Sequence, residues 1–94
     1  MSNLIYKGQS LLTILLDTEY TLTGATSVGI YYSKPDGTTG SWTGTIDSVT
    51  KVRYEVLAGN IDQTGDWKFQ AWVIIGGRLG KGEVIKHKIL EPVL

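Results

Sequence analysis

His87 is the only imidazole in a chain that has no cysteine, so acid–base, nucleophilic or metal chemistry would have to be built around it or around carboxylates. It lies between Lys86 and Lys88. Alternation along an extended segment puts it on the face of Ile85 and Ile89, which is the setting of a structural or rim histidine. Ser10, Ser27, Ser33, Ser41 and Ser48 have no G-x-S-x-G context and no recognisable oxyanion loop. Asp17 and Glu19, or Asp62 and Asp66, could imitate an acid–base pair or a calcium loop, and spacing by two does bring the first pair to one side of an extended chain. Neither stretch matches an EF-hand or a related cation loop, so these acids read as turn caps and solvated groups. Gly76-Gly77-Arg78-Leu79-Gly80-Lys81-Gly82 has the glycines and lysine of a phosphate loop. It fails the G-x-x-x-x-G-K-[ST] spacing, because Gly82 stands at the hydroxyl position and no helix follows. The sequence therefore predicts no catalytic, cofactor-binding or metal-binding residue and no enzyme.

Aromatic residues are the stronger lead. If Trp67, Phe69, Ala71, Val73 and Ile75 face a core, then Lys68, Gln70, Trp72 and Ile74 face the other way, and a large indole stands on the nominally wet side. Tyr31 joins Trp72 there if the strands that carry them are neighbours. Exposed aromatic patches mark binding surfaces, so Tyr31, Trp72 and Ile74 are the predicted interaction residues.

The elements that must position these residues are strands. No window sustains apolar residues at i, i+3, i+4 and i+7, while twelve glycines separate short runs of Val, Ile, Tyr, Trp and Thr, which suit a pleated surface. The runs predict strands at residues 4–7, 10–17, 27–34, 40–47, 51–57, 66–75 and 82–90, with a short turn at 60–63. Leu12, Ile14 and Leu16 share one face, as do Val28, Ile30 and Tyr32, and Val52, Tyr54 and Val56, with Arg53 and Glu55 pointing outward. Lys34-Pro35-Asp36-Gly37-Thr38 is a hairpin turn by its chemistry. Gly76-Gly77 makes another, with Arg78 to Gly82 as a longer or bulged continuation. Seven strands at this spacing predict an all-β, immunoglobulin-like antiparallel sandwich spanning 1–94 as one domain, with Leu12, Ile14, Ile30, Tyr54, Val56, Trp67, Phe69 and Val73 in its core.

Composition narrows the function classes. Nine basic residues balance nine acidic ones, for a formal net charge of zero, which provides no electrostatic footprint for nucleic acid or an anionic membrane. With no cysteine the fold must be held by packing alone, which suits a reducing compartment. The apolar run from Leu11 to Leu16 is interrupted by Thr13 and followed by no small-residue cleavage site. It reads as a strand, not a signal peptide or a membrane span.

The most specific local feature is Ile61-Asp62-Gln63-Thr64-Gly65-Asp66-Trp67-Lys68-Phe69. Asp62, Gly65 and Trp67 resemble the structural corner at the start of strand F in immunoglobulin-like domains. Trp takes the place of the corner Tyr, and Phe69 stands where a disulfide-bearing domain has cysteine. The exchange matters because an indole can only donate a hydrogen bond. Over a longer stretch, the early apolar strand with Leu12 and Ile14, Leu22-Thr23-Gly24-Ala25-Thr26, the Lys34–Thr38 turn and Gly65-Asp66-Trp67-Lys68-Phe69-Gln70-Ala71 resemble, in their order, the amino-terminal immunoglobulin-like modules of tailed-phage baseplate upper proteins. The resemblance implies a non-enzymatic part of a virion tail, baseplate or related particle. Such a part folds in the host cytoplasm and docks to other virion proteins or to copies of itself through a sheet face or edge. The alternative is a carbohydrate-binding or surface-adhesion module in which Trp42, Trp72 and tyrosines stack on glycan rings.

Overall fold

A computed structural model describes residues 4–94; residues 1–3 of the expected 1–94 domain lie outside the described residues. The chain is all-β, with β1 (Ile5–Tyr6), β2 (Thr13–Asp17), β3 (Ala25–Ser33), β4 (Thr39–Thr43), β5 (Thr45–Ile46), β6 (Lys51–Glu55), β7 (Gly65–Ile75) and β8 (Arg78–Leu90). A five-stranded sheet runs β1-β8-β7-β3-β4 and a three-stranded sheet runs β2-β6-β5. The two curl toward each other as a half-barrel around one core cluster.

Alternation builds that core. In β2, Ile14 and Leu16 are buried between exposed neighbours, and in β6 Val52 is buried while Arg53 and Glu55 face solvent. Val28 and Ile30 of β3 and Trp67, Phe69, Ala71 and Val73 of β7 meet them from the larger sheet, with Leu12, Tyr32, Trp42, Tyr54 and Ile75 packed partly buried around the rim. Every predicted core residue is thus in the core or against it.

Four expectations need correction. The fourth strand breaks at Gly44 into β4 and β5, which belong to different sheets. Gly44 still gives its N–H to the Val28 carbonyl (3.0 Å) in step with the Gly29↔Thr43 pair, and the chain leaves that sheet where a Cβ on Gly44 would meet the Arg53 carbonyl of β6 at 2.7 Å. The pairing is not purely antiparallel, since β1 runs parallel to β8 at Ile5↔Ile89 and Tyr6↔Leu90. The turn before β7 lies at Ala58 and Gly59 instead of 60–63. There Asn60 donates its N–H to the Leu57 carbonyl (3.1 Å), while its side-chain oxygen accepts from the Leu57 N–H and the Tyr54 hydroxyl. Finally, β8 begins at Arg78, four residues before the expected start. Gly76 and Gly77 both have positive φ (58° and 75°), as a two-residue hairpin turn matching the strand twist requires, so pairing resumes at once. The surplus residue goes into a bulge, where Gly82 and Glu83 oppose Ala71 between the Gln70↔Val84 and Trp72↔Lys81 pairs.

The corner before β7 is tied to the β3–β4 turn. Trp67 is fully buried, and its indole N–H donates to the Gln63 carbonyl (3.0 Å), so the donor-only ring still closes a bond to the backbone upstream. Gly65, at φ 119°, leaves room for the Pro35 ring, which a Cβ would meet at 2.9 Å. Lys34 pairs with Asp62 at 2.9 Å and holds its ammonium 5.6 Å from the Trp67 ring centre. The Gln63 amide donates to Asp36 (2.9 Å).

These contacts set an acid limit. The Thr38 N–H, above all, holds the Asp36 carboxyl below its ordinary value, with Thr38 and Gln63 side chains adding to it. Glu55 is held low first by the Thr13 hydroxyl and then by Arg53. A carboxyl lowered in the folded state stabilises fully above its unfolded pKa, about 4, and loses that contribution as pH falls through the lower folded value. The melting temperature should therefore be level from neutral pH down to about 5 and decline below about 4. A Asp36→Asn/Glu55→Gln double variant should show a shallower decline over the same acid range, measured by thermal unfolding; parallel curves would contradict the assignment.

Candidate functional site

Strand registers assemble a site on the outer face of the larger sheet, turned away from the core. Tyr31 of β3 is flanked by Ser41 of β4 and by Gln70 of β7, which pairs in turn with Val84 of β8. In the next row Ser33 lies between Thr39 and Lys68. On the other side Gly29 faces Trp72, and Trp72 faces Lys81. These rows border a groove of about 580 Å³, lined by Tyr31, Ser33, Thr39, Ser41, Lys68, Gln70 and Lys81 together with the apolar Phe69 and Val84. Its volume is in the range of ligand-binding clefts, roughly 300–1,000 Å³.

The predicted interaction residues share this face but not the same role. Tyr31 is half-buried, with the Lys81 ammonium 5.4 Å from its ring centre, and it lines the groove. Trp72 does lie on the outer side, yet only 9% of it is exposed. Its ring lies over Gly29, where no side chain intervenes, against Tyr31 at 5.9 Å, and its N–H donates to the Ser41 hydroxyl (2.9 Å). The indole is therefore a support beneath the binding face, and the expectation of an open Trp72 is corrected. Ile74 is half-buried and pairs with Ser27 near the end of the sheet, outside the groove lining. Trp42 stacks on Tyr54 (4.7 Å, 8°) at the core rim, so neither tryptophan invoked for sugar stacking is offered to a glycan ring.

No protein-family model matches the chain, and no curated protein or solved structure does either. The site must be read from its own geometry.

A second feature borders the groove. Strand β8, 13 residues long, pairs with β7 along one side, while β1 covers its other side only at Ile89 and Leu90 among the described residues. Val84 and Ile85 on this edge are 52% and 40% exposed. The edge of β2 in the smaller sheet is likewise unpaired among the described residues. Between β2 and β8 lies a hollow lined by Leu12, Ile14, Phe69, Ile85 and His87, and the buried Nε2 of His87 has no hydrogen-bond partner among the described residues. Among the described residues no three His, Cys, Asp or Glu side chains converge as a metal site would require.

Sequence reasoning put Tyr31, Lys68, Gln70 and Trp72 on one outer face and did not single out the hydroxyl residues or Lys81 beside them. Ser33, Ser41, Thr39, Lys68 and Lys81 are unremarkable in the chain. Only the registers of four strands bring them together.

Proposed function

We propose that this domain is a non-enzymatic assembly module that joins other proteins, copies of itself included, through the edge of β8 that is unpaired among the described residues and the sheet face beside it. The observation that carries the reading is the long β8, one side of which is unpaired over residues 78–86 among the described residues. Backbone N–H and C=O groups along such an edge, other than the Gly82 carbonyl that accepts from Gln70, can take an added strand, and its apolar Val84–Ile85 step is exposed. The sheet orders support an immunoglobulin-like fold. Strands β2-β6-β5 correspond to B-E-D and β3-β7-β8 to C-F-G, with β4 added beside C. Membership of a phage tail, baseplate or related virion particle, with folding in the host cytoplasm, rests on the order of sequence signals.

Sedimentation across a concentration series tests this reading. The protein should form discrete oligomers, and Ile85→Lys, which sets a charge on the exposed apolar edge, should shift them to monomer while near-ultraviolet dichroism stays native. Unaltered oligomers in that variant would contradict the reading, as would a strictly monomeric wild type absent from purified particles.

A further inference from the structure

We infer that the groove on the outer face of the larger sheet is a receptor for an acidic protein segment, which would present Asp or Glu carboxylates to Lys68 and Lys81. The inference rests on the assembly reading above in taking the occupant to be a protein, and it adds the partner's chemistry.

Charge segregation is the first argument. The chain has nine acidic residues, yet none lines the groove, whereas both Lys68 and Lys81 do. Lys86 lies beside Lys68 in the β7–β8 register, and its contact with Asp66 is a long 3.8 Å between exposed groups. Such a pair is weak in water. A neutral chain has thus collected ammonium groups on one face, and its field favours an anion there.

The second argument is hydrogen-bond polarity. The Ser41 oxygen already accepts from the Trp72 indole, so its O–H is left to donate outward. The Gln70 amide nitrogen donates to the Gly82 carbonyl (2.9 Å), which leaves its Oε1 as the one side-chain amide acceptor at the groove. Lys68 and Lys81 contribute donors only. Lys68 and Lys81 thus give the groove two charged donors, which match the oxygens of a carboxylate.

The third argument is preorganisation. Lys81 is held over Tyr31, Tyr31 rests against Trp72, and Trp72 is fixed by Ser41 and seated over Gly29. Rigid support of this kind lowers the entropy lost when a partner binds. A partner that lays acids in this groove approaches the β8 edge with charge in its favour.

Titration of the folded protein with a short poly-glutamate peptide, followed by amide chemical shifts, tests the inference. Shifts should concentrate at residues 31–33, 39–41, 68–70 and 81–84, and weaken as salt rises. Lys68→Gln/Lys81→Gln should reduce the affinity about tenfold, as the loss of two exposed ion pairs allows, while Lys51→Gln on the smaller sheet should not change it. No shifts in the groove, or equal affinity in the double variant, would overturn the inference. Binding of polygalacturonate without binding of the peptide would overturn the assignment of a protein occupant. If oligomers persist in the Lys68→Gln/Lys81→Gln variant and disappear in Ile85→Lys while the peptide fails to bind, the groove assignment falls and the edge reading stands.

Discussion

Trp67→Ala should leave the protein marginal or unfolded at room temperature. The side chain is completely buried, and it meets the rings of Phe69 at 5.9 Å and Tyr32 at 6.0 Å. It also ties the corner to the Gln63 carbonyl and sits under the Lys34 ammonium. Removing a buried indole costs about 3–5 kcal/mol through lost transfer energy and the cavity left behind. A small domain's total stability is about 5–15 kcal/mol, and a cysteine-free chain of this length belongs at the low end. Trp67→Phe would keep a ring in the core and lose the hydrogen bond, so its deficit should be distinctly smaller. Urea unfolding of the three proteins measures this order, and a midpoint unchanged in Trp67→Ala would contradict the corner's role.

Gly29→Ala should be the most damaging single methyl group in the domain. Gly29 lies between Thr43 of β4 and Trp72 of β7. A Cβ there would land against both the Trp42 carbonyl oxygen and the Trp72 ring. The ring could shift, but the carbonyl belongs to a paired strand and cannot swing aside alone. Overpacking of this kind costs about 1–3 kcal/mol and occasionally more. For a domain of this size that corresponds to a fall of roughly 10–20 °C in melting temperature. Trp72→Ala should relieve part of the clash, so the double variant should lose less than the sum of the two single losses. A melting temperature for Gly29→Ala close to wild type would mean that the indole does not occupy this seat.

Much of the fold was legible because it follows from period-two alternation. Val28, Ile30 and Tyr32, or Val52, Tyr54 and Val56, declare a buried face without reference to any other strand. The Trp67 corner was legible for a similar reason, since its Asp, Gly and aromatic lie within six residues of one another. What stayed hidden depends on contacts between strands. The break at Gly44 separates two stretches that both favour strand, and it falls where the backbone passes close to the Arg53 carbonyl of β6, a contact that one strand's alternation cannot reveal. Trp72 was correctly assigned to the outer side, but its cover is Gly29 on the neighbouring strand, and alternation within β7 cannot reveal that. The same holds for Lys34 and Asp62, whose pairing joins two turns. The start of β8 was obscured by Gly80 and Gly82, which read as a longer or bulged continuation of the Gly76-Gly77 turn, whereas pairing resumes at Arg78 and the bulge lies inside the strand.

Hydrogen exchange measured residue by residue, in dilute and in concentrated or particle-bound protein, tests the central claim most directly. Amides facing the open side of residues 78–86 should exchange quickly when the protein is dilute and become protected on association, while those shared by β3 and β7 stay slow throughout. Association that protects other segments and leaves the β8 edge exchanging as fast as in the monomer would contradict assembly through this strand.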